Sequence, residues 1–128
     1  VLEPGAEATV EETVTEEMTA ARLGSGDVPV LGTPAVLALV EAAAVAIVAD
    51  SLETDQTTVG TSVELEHLAP TPVGAQVTAS AGVIEVDGRT IRFTFEVTDA
   101  QGPIARGTHT RVIVNRDRFL TTARERGG

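Results

Sequence analysis

The chain has 128 residues, enough for one domain that buries roughly two-thirds of its unfolded surface and too few for a second. It has no Cys, Trp or Tyr and only three Phe, which excludes a disulfide framework or thiolate metal site and leaves the core to Val, Ala, Leu and Ile. The formal net charge of −10 argues against a nucleic-acid partner.

The amino terminus, VLEPGAEATV, lacks a basic start and an apolar run. It does not read as a signal peptide, and a cytoplasmic location is expected. EATVEETVTEEM has only Val10 and Val14 as apolar anchors and reads as an edge strand. The strongest element follows. From Pro34 to Ala49, sixteen residues contain one polar side chain, Glu41. Thr33 suits the N-cap and Pro34 the first helical position. Such a helix spans about 24 Å, short of the roughly 20 residues a bilayer needs. It reads as the buried central helix of a small domain, with no membrane role. Asp50 and SLETDQTT end it in a polar turn.

Beyond the helix the apolar period changes to two. Val63, Leu65 and His67 alternate with Glu64 and Glu66. Three further strands run to about residue 115, punctuated by Asp87-Gly88 and by DAQG at 99–102. In the middle one Ile91, Phe93, Phe95 and Val97 share a face, and Gly82 marks an expected bulge in the strand before it. One strand, a long helix and four strands predict an α+β domain over 1–128: a long curved antiparallel sheet wrapped around one apolar helix.

The chemistry-bearing residues are few. Glu41 has only apolar neighbours one helical turn away (Leu37, Ala38, Ala44 and Val45), so it must be paired, neutralised or functional. A carboxylate in surroundings of that kind could serve as base or nucleophile. His67 lies on the apolar face of its strand, where a satisfied core histidine is the commoner case. N-capping alone would explain Thr33, although a helix start also offers N–H groups and a positive dipole end to a developing oxyanion. The two His are 42 positions apart, poor material for a metal site.

Charge divides the chain unevenly. Residues 1–88 hold 15 acidic groups and one Arg, net −14; residues 89–128 hold four acidic groups and eight Arg, net +4. An Arg-bearing end suits a phosphorylated small ligand. Arg89, Arg92, Arg106, Arg116 and Arg118 are the candidates.

GTPAVLALVEAAAV, VGTSVELEHLAPTPVG and ARGTHTRVIVNRDRF, in this order over roughly 28–119, resemble the fluoroacetyl-CoA thioesterase-like family of hotdog-fold proteins. The most specific part is Thr at the helix start, Glu eight residues on, and His before APTPVG. The resemblance implies a hotdog fold, catalytic roles for Thr33, Glu41 and His67, and substrate contacts at Gly60 and Arg111. It implies hydrolysis of a short-chain acyl-CoA to free acid and CoA, with no cofactor or metal. The family's fluoroacetyl-specific member has a longer, Phe-bearing segment ahead of the helix. LGSGDVPVLGT has no aromatic residue, so strong discrimination for a fluorinated acyl group is not expected here.

Eight helical residues rise about 12 Å, so Thr33 and Glu41 of one helix do not easily reach one small acyl group. The resemblance implies a dimer in which two such helices lie side by side, and an antiparallel pair would bring one chain's helix start near the other's Glu41. A dimer is therefore expected, with further pairing into tetramers left open. The alternatives are a non-catalytic acyl-CoA-binding or regulatory hotdog domain, and an enoyl-CoA hydratase or dehydratase. Against the latter, the Asp-x-x-x-x-His arrangement characteristic of such enzymes is missing after the sheet-to-helix junction.

Overall fold

A computed structural model describes residues 2–128. Its strands are β1 (Glu7–Thr13), β2 (Gln56–His67), β3 (Gln76–Asp87), β4 (Thr90–Asp99) and β5 (Gly102–Asn115). Its helices are α1 (Ala20–Leu23), α2 (Thr33–Val48) and α3 (Arg116–Arg126). The strands form one antiparallel sheet in the order β1-β3-β4-β5-β2, which puts β1 at one edge, as expected, and the twelve-residue β2 at the other.

Alternation on β3 and β4 builds the inner face of the sheet. Val77, Ala79, Ala81 and Val83 lie beside Ile91, Phe93, Phe95 and Val97, all buried. Helix α2 covers them with Val36, Leu39, Val40, Ala43, Ala44 and Val48, a three-and-four spacing that defines one helix face. Five of the six helix residues are Ala or Val, so helix and sheet approach closely, with Phe93 and Phe95 the aromatic side chains between them. The helix is buried on this side only. Pro34, Ala38, Ala42, Val45 and Ala46 are exposed, so its apolar composition exceeds what one sheet can cover.

The helix begins one residue earlier than the sequence suggests. Gly32, not Thr33, is the N-cap, and its carbonyl accepts from the N–H groups of Ala35 and Val36 at 3.0 and 3.1 Å. Glycine is needed there because a Cβ would lie 3.0 Å from the backbone N and Cα of Ala20. Thr33 becomes the first helical residue, with no capping bond from its hydroxyl.

The bulge expected at Gly82 is also displaced. Gly82 pairs regularly with Glu7 and Thr94; the register slips at Ile84 instead, and again at Thr61 and Ile104. The tight turn after Asp87 has Gly88 at φ 60° in the first of its two loop positions. Helix α3 has no apolar pattern to mark it in the sequence. Asn115 caps it by accepting from Arg118 N–H at 2.9 Å, and every one of its residues is exposed.

Candidate active site

Two groups of polar side chains lie at different heights along α2. The first is at the helix start. The segment entering α2 is sewn to the loop that leaves β2: Leu31 N–H donates to the Thr71 carbonyl at 2.9 Å, and Val30 bridges Pro72. Thr71 is itself buried and donates to Asp99 at 2.9 Å. These ties set Thr33 against the last residue of β2. Thr33 Oγ1 lies 2.9 Å from His67 Nδ1.

That pair opens onto a cavity of about 300 Å³ lined by Val28, Val30, Leu31, Leu68, Ala69 and Pro70. Val28 and Leu68 form an exposed apolar rim, at 51% and 49% exposure. The lining contains no Phe, Tyr or Trp. His67 Nε2 is buried and has no hydrogen-bond partner among the described residues, which hold the ring through Nδ1. The helix start offers fewer oxyanion donors than expected. Pro34 has no N–H, and those of Ala35 and Val36 return to Gly32, which leaves the N–H of Thr33.

The second group lies around Glu41. Its surroundings are not wholly apolar, contrary to the reading from helix neighbours alone. Strand β5 brings Arg111 across the sheet, and Arg111 Nη1 donates to Glu41 Oε2 at 2.9 Å. The Arg111 side chain is 7% exposed and that of Glu41 40%. Thr58 takes two more guanidinium bonds, Nε to its hydroxyl at 2.9 Å and Nη2 to its carbonyl at 3.1 Å. Gly60 supplies the space for the carboxylate. A Cβ on Gly60 would lie 2.7 Å from Glu41 Oε2 and 3.3 Å from Arg111 Nη1. The slip at Thr61 interrupts the β2–β5 ladder beside this cluster, a placement common for bulges near active sites.

The five residues singled out in sequence therefore fall into two sets: Thr33 with His67, and Glu41 with Gly60 and Arg111. Eight helical residues separate them, about 12 Å of rise. His109 and Thr58 complete the second set and were missed. The signal for His109 was available: in THTR, His109 and Arg111 are two apart on one strand and share its inner face.

Comparison with known proteins points one way. Residues 14–117 match the fluoroacetyl-CoA-specific thioesterase family, FlK. The fluoroacetyl-CoA thioesterase of Streptantibioticus cattleyicolor is 31% identical over 97 residues, which is 76% of this chain and 70% of that protein. A threonine-to-serine mutant of FlK in complex with acetyl-CoA superposes with a TM-score of 0.92 at 26% identity, over 98% of this chain and 99% of that one. A hot-dog-like protein from Thermanaerovibrio acidaminovorans gives 0.90 at 26% identity, over 99% and 94% of the two chains. A five-stranded antiparallel sheet carrying one long helix, shared at this level with such proteins, is the hotdog fold.

Proposed function

The chain belongs to the fluoroacetyl-CoA-specific thioesterase family, and from that premise we propose that it hydrolyses short-chain acyl-CoAs to the free acid and CoA. The observation that carries this reading is the 2.9 Å contact between Thr33 Oγ1 and His67 Nδ1 at the mouth of an apolar cavity. A hydroxyl in that position acts as nucleophile when the imidazole nitrogen facing it has a free lone pair.

In the first half-reaction Thr33 Oγ1 attacks the thioester carbonyl carbon and its proton passes to His67 Nδ1. The tetrahedral oxyanion is stabilised by the N–H of Thr33 and the positive end of the α2 dipole. The carbon–sulfur bond then breaks, and the CoA thiolate takes the proton from His67. In the second half-reaction water, deprotonated by His67, attacks the Thr33 acyl ester. The ester bond breaks, and Thr33 recovers its proton. Glu41 orients that water or handles its proton, at the site of a partner chain in a homodimer. Gly60 and Arg111 hold the carboxylate and border the bound thioester.

The dimer is supported by the exposed stripe Ala38, Ala42, Val45 and Ala46 and by the unpaired edge of β2, both of which a second copy would cover. The deciding experiment follows free thiol as the protein is incubated with acetyl-, propionyl- and substituted acetyl-CoAs. Turnover on one or more members supports the reading. Binding of every member without thiol release rejects it.

A further inference from the structure

His109 has no part in the reaction described above. The residue is 3% exposed, and its ring stacks on Phe93 with centroids 6.0 Å apart. Nδ1 is 2.9 Å from the Ser62 carbonyl oxygen, and Nε2 is 3.2 Å from Arg111 Nη1. Each neighbour allows only one role: a carbonyl accepts, and a guanidinium donates. The proton is therefore on Nδ1 and the lone pair on Nε2, which makes the ring a neutral imidazole in a single tautomer. Glu41 Oε2 lies 4.0 Å from the same nitrogen, and with a neutral ring that approach is not an ion pair.

The arrangement has a consequence for Glu41. Arg111 has five N–H donors, and Thr58 takes those of Nε and one from Nη2. Nη1 has two hydrogens; one goes to Glu41 Oε2 and the other to His109 Nε2. The guanidinium is thus turned so that it gives Glu41 one bond rather than the two of a bidentate fork. Glu41 Oε1 makes no hydrogen bond or ion pair among the described residues. A bidentate pair would instead engage both carboxylate oxygens and leave neither free of the guanidinium.

We propose that His109 is a positioning residue which, through its Nε2 lone pair, holds Arg111 in the orientation that leaves one oxygen of Glu41 available to the reaction. The role rests on the thioesterase reading for its effect on turnover, and on geometry alone for the tautomer and the guanidinium orientation.

Three forms of the protein test it. His109→Gln retains an acceptor where Nε2 stands, and His109→Leu retains bulk without one. Long-range ¹H–¹⁵N spectra of the wild type should show His109 protonated at Nδ1 and bare at Nε2; a proton at Nε2 overturns the proposal whatever the activity. The Arg111 Nε–H resonance should stay near its wild-type position in His109→Gln and move in His109→Leu. Identical resonances in all three forms reject the coupling. In the thioesterase assay His109→Leu should lose kcat on the order of a hundredfold with KM little changed, the scale on which a misplaced group costs turnover, and His109→Gln should recover most of it. Equal losses in the two variants, tracking their melting temperatures, would assign His109 to packing only. Absence of thiol release by the wild type would reject the thioesterase reading, while the two spectra would still decide the positioning claim.

Discussion

Thr33 shows how the same residue changes meaning once its hydrogen bond is known. In sequence its hydroxyl is accounted for by capping. In the structure Gly32 takes the cap position, so the hydroxyl turns to His67 instead. His67 completes the pair only because the loop after β2 is tied to the segment before α2 through Leu31 and Thr71. Its role is testable directly. His67→Ala should lower kcat on the order of a hundredfold, the usual contribution of a general acid–base, and wild-type rates on every active substrate would remove His67 from the mechanism. Gly60 makes a steric prediction of a different kind. A methyl group 2.7 Å from Glu41 Oε2 must displace the carboxylate or the strand. Because Glu41 is partly exposed and can move, Gly60→Ala should fold but turn over slowly. Circular dichroism beside the thiol assay checks it, and full activity in a folded Gly60→Ala would mean that the position of Glu41 does not matter.

The elements divide into those that periodicity reveals and those that only pairing reveals. Helix α2 was legible to within one residue because apolar composition and Pro34 mark it. Strand β4 was legible because Ile91, Phe93, Phe95 and Val97 alternate without interruption, and all four are buried. The bulges at Thr61, Ile84 and Ile104 were not, since an extra residue is defined by the partner's register and glycine is no requirement for it. Helix α3 escaped because it has no buried face and therefore no apolar stripe. The Arg111–Glu41 pair joins β5 to α2 across 70 positions, a contact no local pattern encodes. The segment between α1 and α2, by contrast, could be read directly. It has no aromatic residue, and Val28, Val30 and Leu31 are what it places against the cavity. Fluorine for hydrogen alters such contacts little, and small differences in an apolar pocket give only about 10–200-fold discrimination. Fluoroacetyl-CoA should therefore not be strongly preferred over acetyl-CoA. A measured kcat/KM ratio of many thousandfold would show that specificity arises from something other than this segment.

Charge and burial act on the molecule as a whole. Of the five Arg candidates for the CoA phosphates, Arg92 is engaged with Glu85 and Arg106 with Glu66, while Arg89 and Arg118 share one surface hollow and have no acidic partner among the described residues. Exposed pairs are screened over about 8 Å at physiological ionic strength, so KM for acyl-CoA should rise with salt, and a flat profile would argue against phosphate recognition by these groups. Burial bears on assembly. A helix with mostly apolar residues all round leaves a contiguous stripe uncovered by one sheet, and soluble monomers rarely expose such a patch. The twelve-residue edge of β2 lies unpaired in the same chain. Covering both with a second copy, helices antiparallel, would set each Glu41 near the other chain's Thr33 and remove the 12 Å separation that divides the site within one chain. If so, the two lesions Thr33→Ala and Glu41→Gln should complement each other. Each variant alone forms two defective sites; a mixed dimer has one site with both lesions and one with neither. Activity should therefore return when the inactive variants are mixed and allowed to exchange subunits. Light scattering of the wild type at assay concentration supplies the companion measurement, since an active monomer is incompatible with a shared site. Subunit exchange confirmed by mass spectrometry without recovery of thiol release would instead require that Thr33 and Glu41 of the same chain serve one substrate.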